Sequence, residues 1–124
     1  MNDTNKLRIL VVEDDELVRA TLRLALEQQG CEVVTADDGV EGLDAVDQQP
    51  FDAVVTDVKL PRRDGIWLWR QATASRPELA GRFLFISGHP FPPDHGSESE
   101  RFLSKPFTMP MLWAVIAAIT KVQR

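Results

Sequence analysis

The chain has a single cysteine, Cys31, among its 124 residues, so no internal disulfide can form. A lone thiol suits a reducing compartment, and a cytoplasmic location is the expectation. No apolar run approaches the roughly 20 residues that a membrane helix needs. Residues 1–6 lack an apolar stretch behind a basic start, so no secretory leader is visible. Histidine is scarce too: His89 and His95 have no second ligand at metal spacing and read as surface residues. Basic residues are outnumbered, 14 Lys/Arg against 19 Asp/Glu, for a net charge of −5. That balance argues against a nucleic-acid-binding surface. The shortage is local. Residues 1–57 hold 14 acids and 4 basic residues, whereas residues 58–124 hold 5 and 10. The acidic half is either a solvated surface or a carboxylate cluster that calls for a cation.

What is present alternates strand with helix. The length suits one domain, 1–124, with a core over about residues 7–122. Short apolar or β-branched runs at 7–12, 31–36, 51–56, 82–86 and 101–104 read as five strands. Asp15 or Asp14 caps a first helix, and Gly30 sits where a left-handed helix end belongs. Asp38 opens a second helix that stops before Pro50. A third spans 66–75, with Ile66, Trp69 and Ala72 expected to face inward and Trp67 outward beside Arg70. The last begins at a Thr108 cap, tolerates Pro110 in its first turn, and is apolar almost all round, so a patch near Trp113 is expected to be exposed. Residues 88–100 break the rhythm: three prolines, two glycines and two serines disfavour a regular helix there. The alternation predicts an α/β fold, a parallel sheet with helices on both faces.

Ligands of open α/β sheets bind beyond the carboxyl ends of the strands. Those positions hold Glu13-Asp14-Asp15, Asp57, Ser87 and Lys105. Carboxylates, a hydroxyl and an ammonium thus converge on one edge. Oxygen donors without His or Cys point to Mg²⁺ or Ca²⁺, and a site keeping waters and a phosphate suits Mg²⁺ better.

Five segments carry a resemblance: Val11-Val-Glu-Asp-Asp15, Thr56-Asp-Val-Lys-Leu-Pro61, Asp64-Gly65, Ile86-Ser-Gly88 and Ser104-Lys-Pro-Phe107. In order and at strand ends, they resemble the signature of response-regulator receivers in two-component signalling. The resemblance implies a flavodoxin-like fold, strand order 2-1-3-4-5. It implies Asp57 as phosphoacceptor, and Glu13, Asp14, Asp57 and the Lys59 carbonyl as Mg²⁺ ligands. It makes Lys105 the lysine that meets the phosphoryl group, Ser87 the switch hydroxyl, Phe102 the switch aromatic, and Lys105-Pro106 a cis bond. A histidine kinase or histidine phosphotransfer protein would donate the phosphoryl group, and an unknown downstream protein would read the change. No separate substrate turnover, no nucleic acid and no membrane are expected, and the chain is expected to be a monomer or weak dimer.

The sequence also departs from that pattern. Phe102 stands where tyrosine is more common, so the ring carries no hydroxyl. Only eighteen positions separate Ser87 from Lys105, so the fourth helix, between strands four and five, is expected to be shortened or missing. Three other readings compete. A phosphorylation-independent pseudo-receiver scaffold is opposed by the complete acid, hydroxyl and lysine set. A haloacid-dehalogenase-type hydrolase is opposed by the missing Asp-x-Asp after strand one. The segment at Ser87-Gly-His-Pro90 is similar to receivers fused to hybrid sensor kinases, but the initial Met favours a stand-alone protein.

Overall fold

The computed structural model describes residues 6–88 and 100–120. The elements run β1 (Arg8–Val12), α1 (Glu16–Gln28), β2 (Glu32–Ala36), α2 (Gly39–Gln48), β3 (Ala53–Asp57), α3 (Gly65–Ser75), a 3₁₀ turn (Pro77–Leu79), β4 (Phe83–Ser87), β5 (Arg101–Ser104) and α4 (Met109–Thr120). All strand pairs are parallel, in the order β2-β1-β3-β4-β5. Expected strand order and fold class are both observed.

Strand alternation divides the core in two. Ile9, Val11, Ala53, Val55, Leu84 and Ile86 face one way, toward Leu22 and Leu26 of α1 and Leu112, Ile116 and Ile119 of α4. Leu10, Val12, Val54, Phe83 and Phe85 face the other way, toward Val46 of α2 and Leu68 and Ala72 of α3. The central strands are buried on both faces, which is why β1, β3 and β4 read as continuous apolar runs. Burying each Leu, Ile, Val or Phe is worth about 1.5–3 kcal/mol, so tertiary packing rather than helix propensity fixes the helices.

Helix starts follow their caps. Asp15 accepts from Val18 N, Asp38 from Glu41 N, Asp64 from Trp67 N and Thr108 from Met111 N, at 2.8–3.2 Å. Gly30 adopts φ +89° just past α1, as expected. The third helix departs from expectation. Its buried positions are Gly65, Leu68 and Ala72, whereas Ile66, Trp67 and Trp69 are half-buried. Trp67 packs partly on the core, with the Arg63 guanidinium 5.2 Å from its ring centre. In α4, Trp113 packs against the core and Met111 is exposed instead. In α1, Leu17 and Leu24 point to solvent. The shortened or missing fourth helix, like His89 and His95, falls outside the described residues. Among those described, no helix is long and apolar enough to cross a membrane.

Candidate functional site

β1 delivers Glu13 and Asp14 to the carboxyl edge of the sheet. The amide of Glu13 still bonds to Ala36 O at 3.0 Å, so the residue prolongs the ladder. Its side chain is 1% exposed, and Oε2 accepts from Asp15 N at 3.1 Å. β3 ends at Asp57, buried, with Oδ1 accepting from Lys59 N at 3.2 Å. β4 ends at buried Ser87, one step beyond Ile86, the register partner of Asp57. Lys105 follows β5, and its amide bonds to Ser87 O at 2.8 Å.

These elements bring the charges together. Lys105 Nζ donates to Asp57 Oδ2 at 2.9 Å and to Glu13 Oε1 at 3.2 Å. One carboxylate oxygen from each of Glu13, Asp14 and Asp57 lies within 4.8 Å of the others, and Asp14 is the exposed member. Three carboxylates against one ammonium leave two negative charges. Burial pushes the Glu13 carboxyl above its ordinary range and the Asp57 charge adds to that, against the Asp15 amide and Lys105. Burial pulls Lys105 down, but its bond to Asp57 and the charges of Asp57 and Glu13 outweigh this and hold it above its ordinary value. The donor set is hard oxygen throughout, short of positive charge and open at Asp14. It fits a divalent cation of the Mg²⁺ kind that keeps some of its waters.

The loop after β3 is braced from two sides. Gly65 N bonds to Val58 O at 2.9 Å, and a Cβ on Gly65 would collide with the Asp57 carbonyl oxygen. Close approach is therefore the reason for glycine at this position. Arg62 takes φ +64°, uncommon for a residue with a side chain, and its Nε bonds to Asp38 Oδ2 at 2.8 Å. Gly39 N bonds to Arg63 O at 3.0 Å. Asp37, Asp38 and Glu41 form a second acidic group, accounted for by the α2 cap and the Arg62 ion pair.

The remaining expected residues are placed as follows. The Lys105–Pro106 bond is cis. Phe102 is half-buried and stacked on its register partner Phe85, ring centres 5.0 Å apart and planes at 21°. Lys59 is exposed, with its amide turned to Asp57. Sequence reasoning missed Arg62 and Glu100. Nothing in the sequence marks Arg62 as left-handed, and the partners of Glu100 lie 17 to 31 positions away. Beside Lys105 an apolar groove of about 340 Å³ is lined by Leu17, Val18, Leu22, Pro106, Phe107 and Met109.

The model of the response regulator receiver domain family matches residues 9–117. The chain belongs to that family. The receiver is 38% identical over 119 residues to the response regulator MprA of Mycobacterium sp. (strain KMS), covering 93% of this chain and 51% of that protein. It therefore spans about half the length of the MprA relatives it matches. It is 36% identical over 104 residues to the receiver protein CpdR of Brucella abortus (strain 2308), covering 81% of this chain and 85% of that one. Among solved structures, the receiver domain of the hybrid histidine kinase CckA is 30% identical, with a TM-score of 0.78 over 91% of this chain and 98% of that one. The PA1611 receiver domain from Pseudomonas aeruginosa PAO1, with magnesium coordinated in its active site cleft, is 22% identical. It matches at a TM-score of 0.83 over 94% of this receiver and 99% of that chain, a likeness of fold.

Proposed function

We propose that Asp57 accepts a phosphoryl group from a phosphohistidine donor in a Mg²⁺-dependent reaction, and that the receiver then alters its contact with a downstream protein. The observation that carries this reading is the Lys105 ammonium bridging Asp57 and Glu13 within the Glu13–Asp14–Asp57 carboxylate group. Glu13, Asp14, Asp57 and the Lys59 carbonyl would hold the cation. When bound, Mg²⁺ supplies charge neutralisation for the phosphoryl oxygens.

A carboxylate approaching a dianionic phosphoryl group meets repulsion first, so positioning and opposite charge are most of the catalysis. The Asp57 oxygen forms the O–P bond as the P–N bond of the donor breaks. The imidazole leaves with the electron pair and is reprotonated from water. The product is an acyl phosphate, of the type carboxylates form in covalent catalysis. Lys105 holds Asp57 beforehand and can transfer its hydrogen bonds to the phosphoryl oxygens. Ser87, at the end of β4, is the hydroxyl proposed to meet the phosphoryl group, and Phe102 the ring proposed to respond. The apolar groove beside Lys105 suits a protein donor, because an occupant there brings its reacting atom close to Asp57.

On this reading 1–124 forms one domain in the cytoplasm, acting on itself rather than turning over a substrate, with protein partners and no nucleic acid. The likeness to the CckA receiver supports a second possibility for its setting, that of a module working with a hybrid histidine kinase. Acetyl phosphate and Mg²⁺ should add one phosphoryl group to the wild-type chain by mass spectrometry and none to Asp57→Asn. Persistent labelling of that variant would refute the assignment.

A further inference from the structure

Glu100 lies outside the Asp57 site, yet it is a buried carboxylate, 6% exposed. Burying a carboxylate is expensive unless donors surround it. Here Oε2 accepts from Trp69 Nε1 at 2.9 Å and Gly81 N at 2.7 Å, and Oε1 accepts from Phe83 N at 2.9 Å. Phe83 opens β4, and Ser87 closes it at the site. Glu100 is thus fastened at the far end of β4, and β5 begins with the next residue.

β5 is four residues long, stands at the edge of the sheet and, among the described residues, pairs with β4 alone. Its register decides where Lys105 emerges. A one-residue slip is opposed because it would turn Phe102 away from Phe85. A two-residue slip keeps the faces and is not opposed by alternation, yet it would carry Lys105 about 6.6 Å along the sheet at ~3.3 Å per residue. Lys105 would then lose Asp57 and Glu13 together. The Phe83 amide opposes the slip that would bring Phe102 to the place of Glu100, since residues 101–104 offer it no carboxylate.

We propose that Glu100 is a positioning residue. Its carboxylate locks β5 in register on β4 and so sets the reach of Lys105 to Asp57 at the strand's other end. The proposal rests on the phosphoacceptor reading of Asp57. A carboxylate is required because both oxygens accept; a glutamine has one acceptor oxygen, and its NH₂ would face an N–H donor.

The site's own construction supplies the test. The proposed cation-holding carboxylates follow β1 or end β3, whereas Lys105 follows β5, so loss of register should spare Mg²⁺ affinity and harm transfer. Wild type, Glu100→Gln, Lys105→Ala and the double variant are compared for phosphorylation rate by acetyl phosphate, corrected for folded fraction, and for Mg²⁺ affinity by calorimetry. Glu100→Gln should slow transfer about tenfold to a hundredfold, the scale of ångström misplacement, with Mg²⁺ affinity within about twofold of wild type. In the Lys105→Ala background it should add no further loss, as expected of groups acting through one another. A wild-type rate in folded Glu100→Gln, an equal loss in both backgrounds, or a parallel loss of Mg²⁺ affinity overturns the proposal. If Glu100→Gln does not fold, Trp69→Phe decides, since it removes one donor only. It should show the same pattern at smaller size, and an unchanged rate overturns the proposal. Failure of wild type to be labelled on Asp57 is the separate failure of the parent reading.

Discussion

Lys105 Nζ stands 2.9 Å from Asp57 Oδ2, an ion pair closed across 48 positions of sequence with the carboxylate side chain 11% exposed. The same ammonium reaches Glu13, so its removal leaves two buried carboxylates facing each other. Lys105→Ala should slow phosphorylation by roughly 10²–10³, the range for losing one donor to a transition-state oxyanion. Mg²⁺ binding should persist, because the carboxylates that attract it remain. Initial rates with acetyl phosphate, read by mass spectrometry, check this; a rate within twofold of wild type would remove Lys105 from the reaction.

Glu13→Gln combined with Asp14→Asn tests the cation. Burial and the Asp57 charge both oppose ionisation of Glu13, so neutralising it relieves repulsion in metal-free buffer. The double variant should keep its circular dichroism and a urea midpoint no lower than wild type, yet take up no phosphoryl group. Chelator should silence the wild type in the same way. Equal labelling with and without chelator would contradict the cation assignment.

Gly65→Ala places a methyl group against the Asp57 carbonyl and close to Thr56 Oγ1, both fixed in β3. The strand cannot move without its ladder, so overpacking should cost about 1–3 kcal/mol, measured by urea unfolding. The folded fraction should also be phosphorylated more slowly, because displacement falls on Asp57 itself. Unchanged stability would show that α3 can retreat.

The Asp38–Arg62 contact carries a pH signature. The hydrogen bond from Arg62 is the main cause holding the Asp38 carboxyl below its ordinary range; burial works against it, and the Glu41 amide assists. A folded-state value below the unfolded one means a stabilisation present in full above the unfolded pKa and lost as pH falls through the folded one. Asp38→Asn keeps a capping side chain and removes the charge. It should lower the urea midpoint at pH 7, and the gap from wild type should narrow below about pH 3.9. A gap constant from pH 7 to pH 3 would assign the effect to the cap alone.

The sequence disclosed what lay at the ends of the strands. Glu13, Asp57 and Ser87 each follow a buried apolar run, Lys105 follows the short, half-exposed β5, and the strand order brings those ends together. The inward face of α3 was harder, because Ile66, Trp69 and Ala72 offered an equally helical stripe and Leu68 was passed over. Leu68 faces inward because Gly42 lets α2 approach it: a Cβ at Gly42 would meet the Leu68 methyl groups. That is a property of two helices, not of one. Glu100 was illegible for a related reason. Its donors are an indole and two amides from other elements, and no local pattern records them.

The alternation that divides the core continues into the site. Glu13 follows Ile9 and Val11, Asp57 follows Ala53 and Val55, and Lys105 follows Leu103, all residues of the α1–α4 side. Ser87 instead follows Phe83 and Phe85, and Phe102 stacks on the same α2–α3 side. The sheet thus acts as a partition, with the ion-paired groups proposed to react on one side and the proposed responding pair on the other. On the proposed function, Ser87 at the rim of the sheet is the group that would link the phosphoryl site to Phe102 across this partition. Deleting one residue from β3 would change the parity of everything beyond it and set Val58 where Asp57 stands. Core and chemistry are written in one reading frame, and neither can be shifted alone.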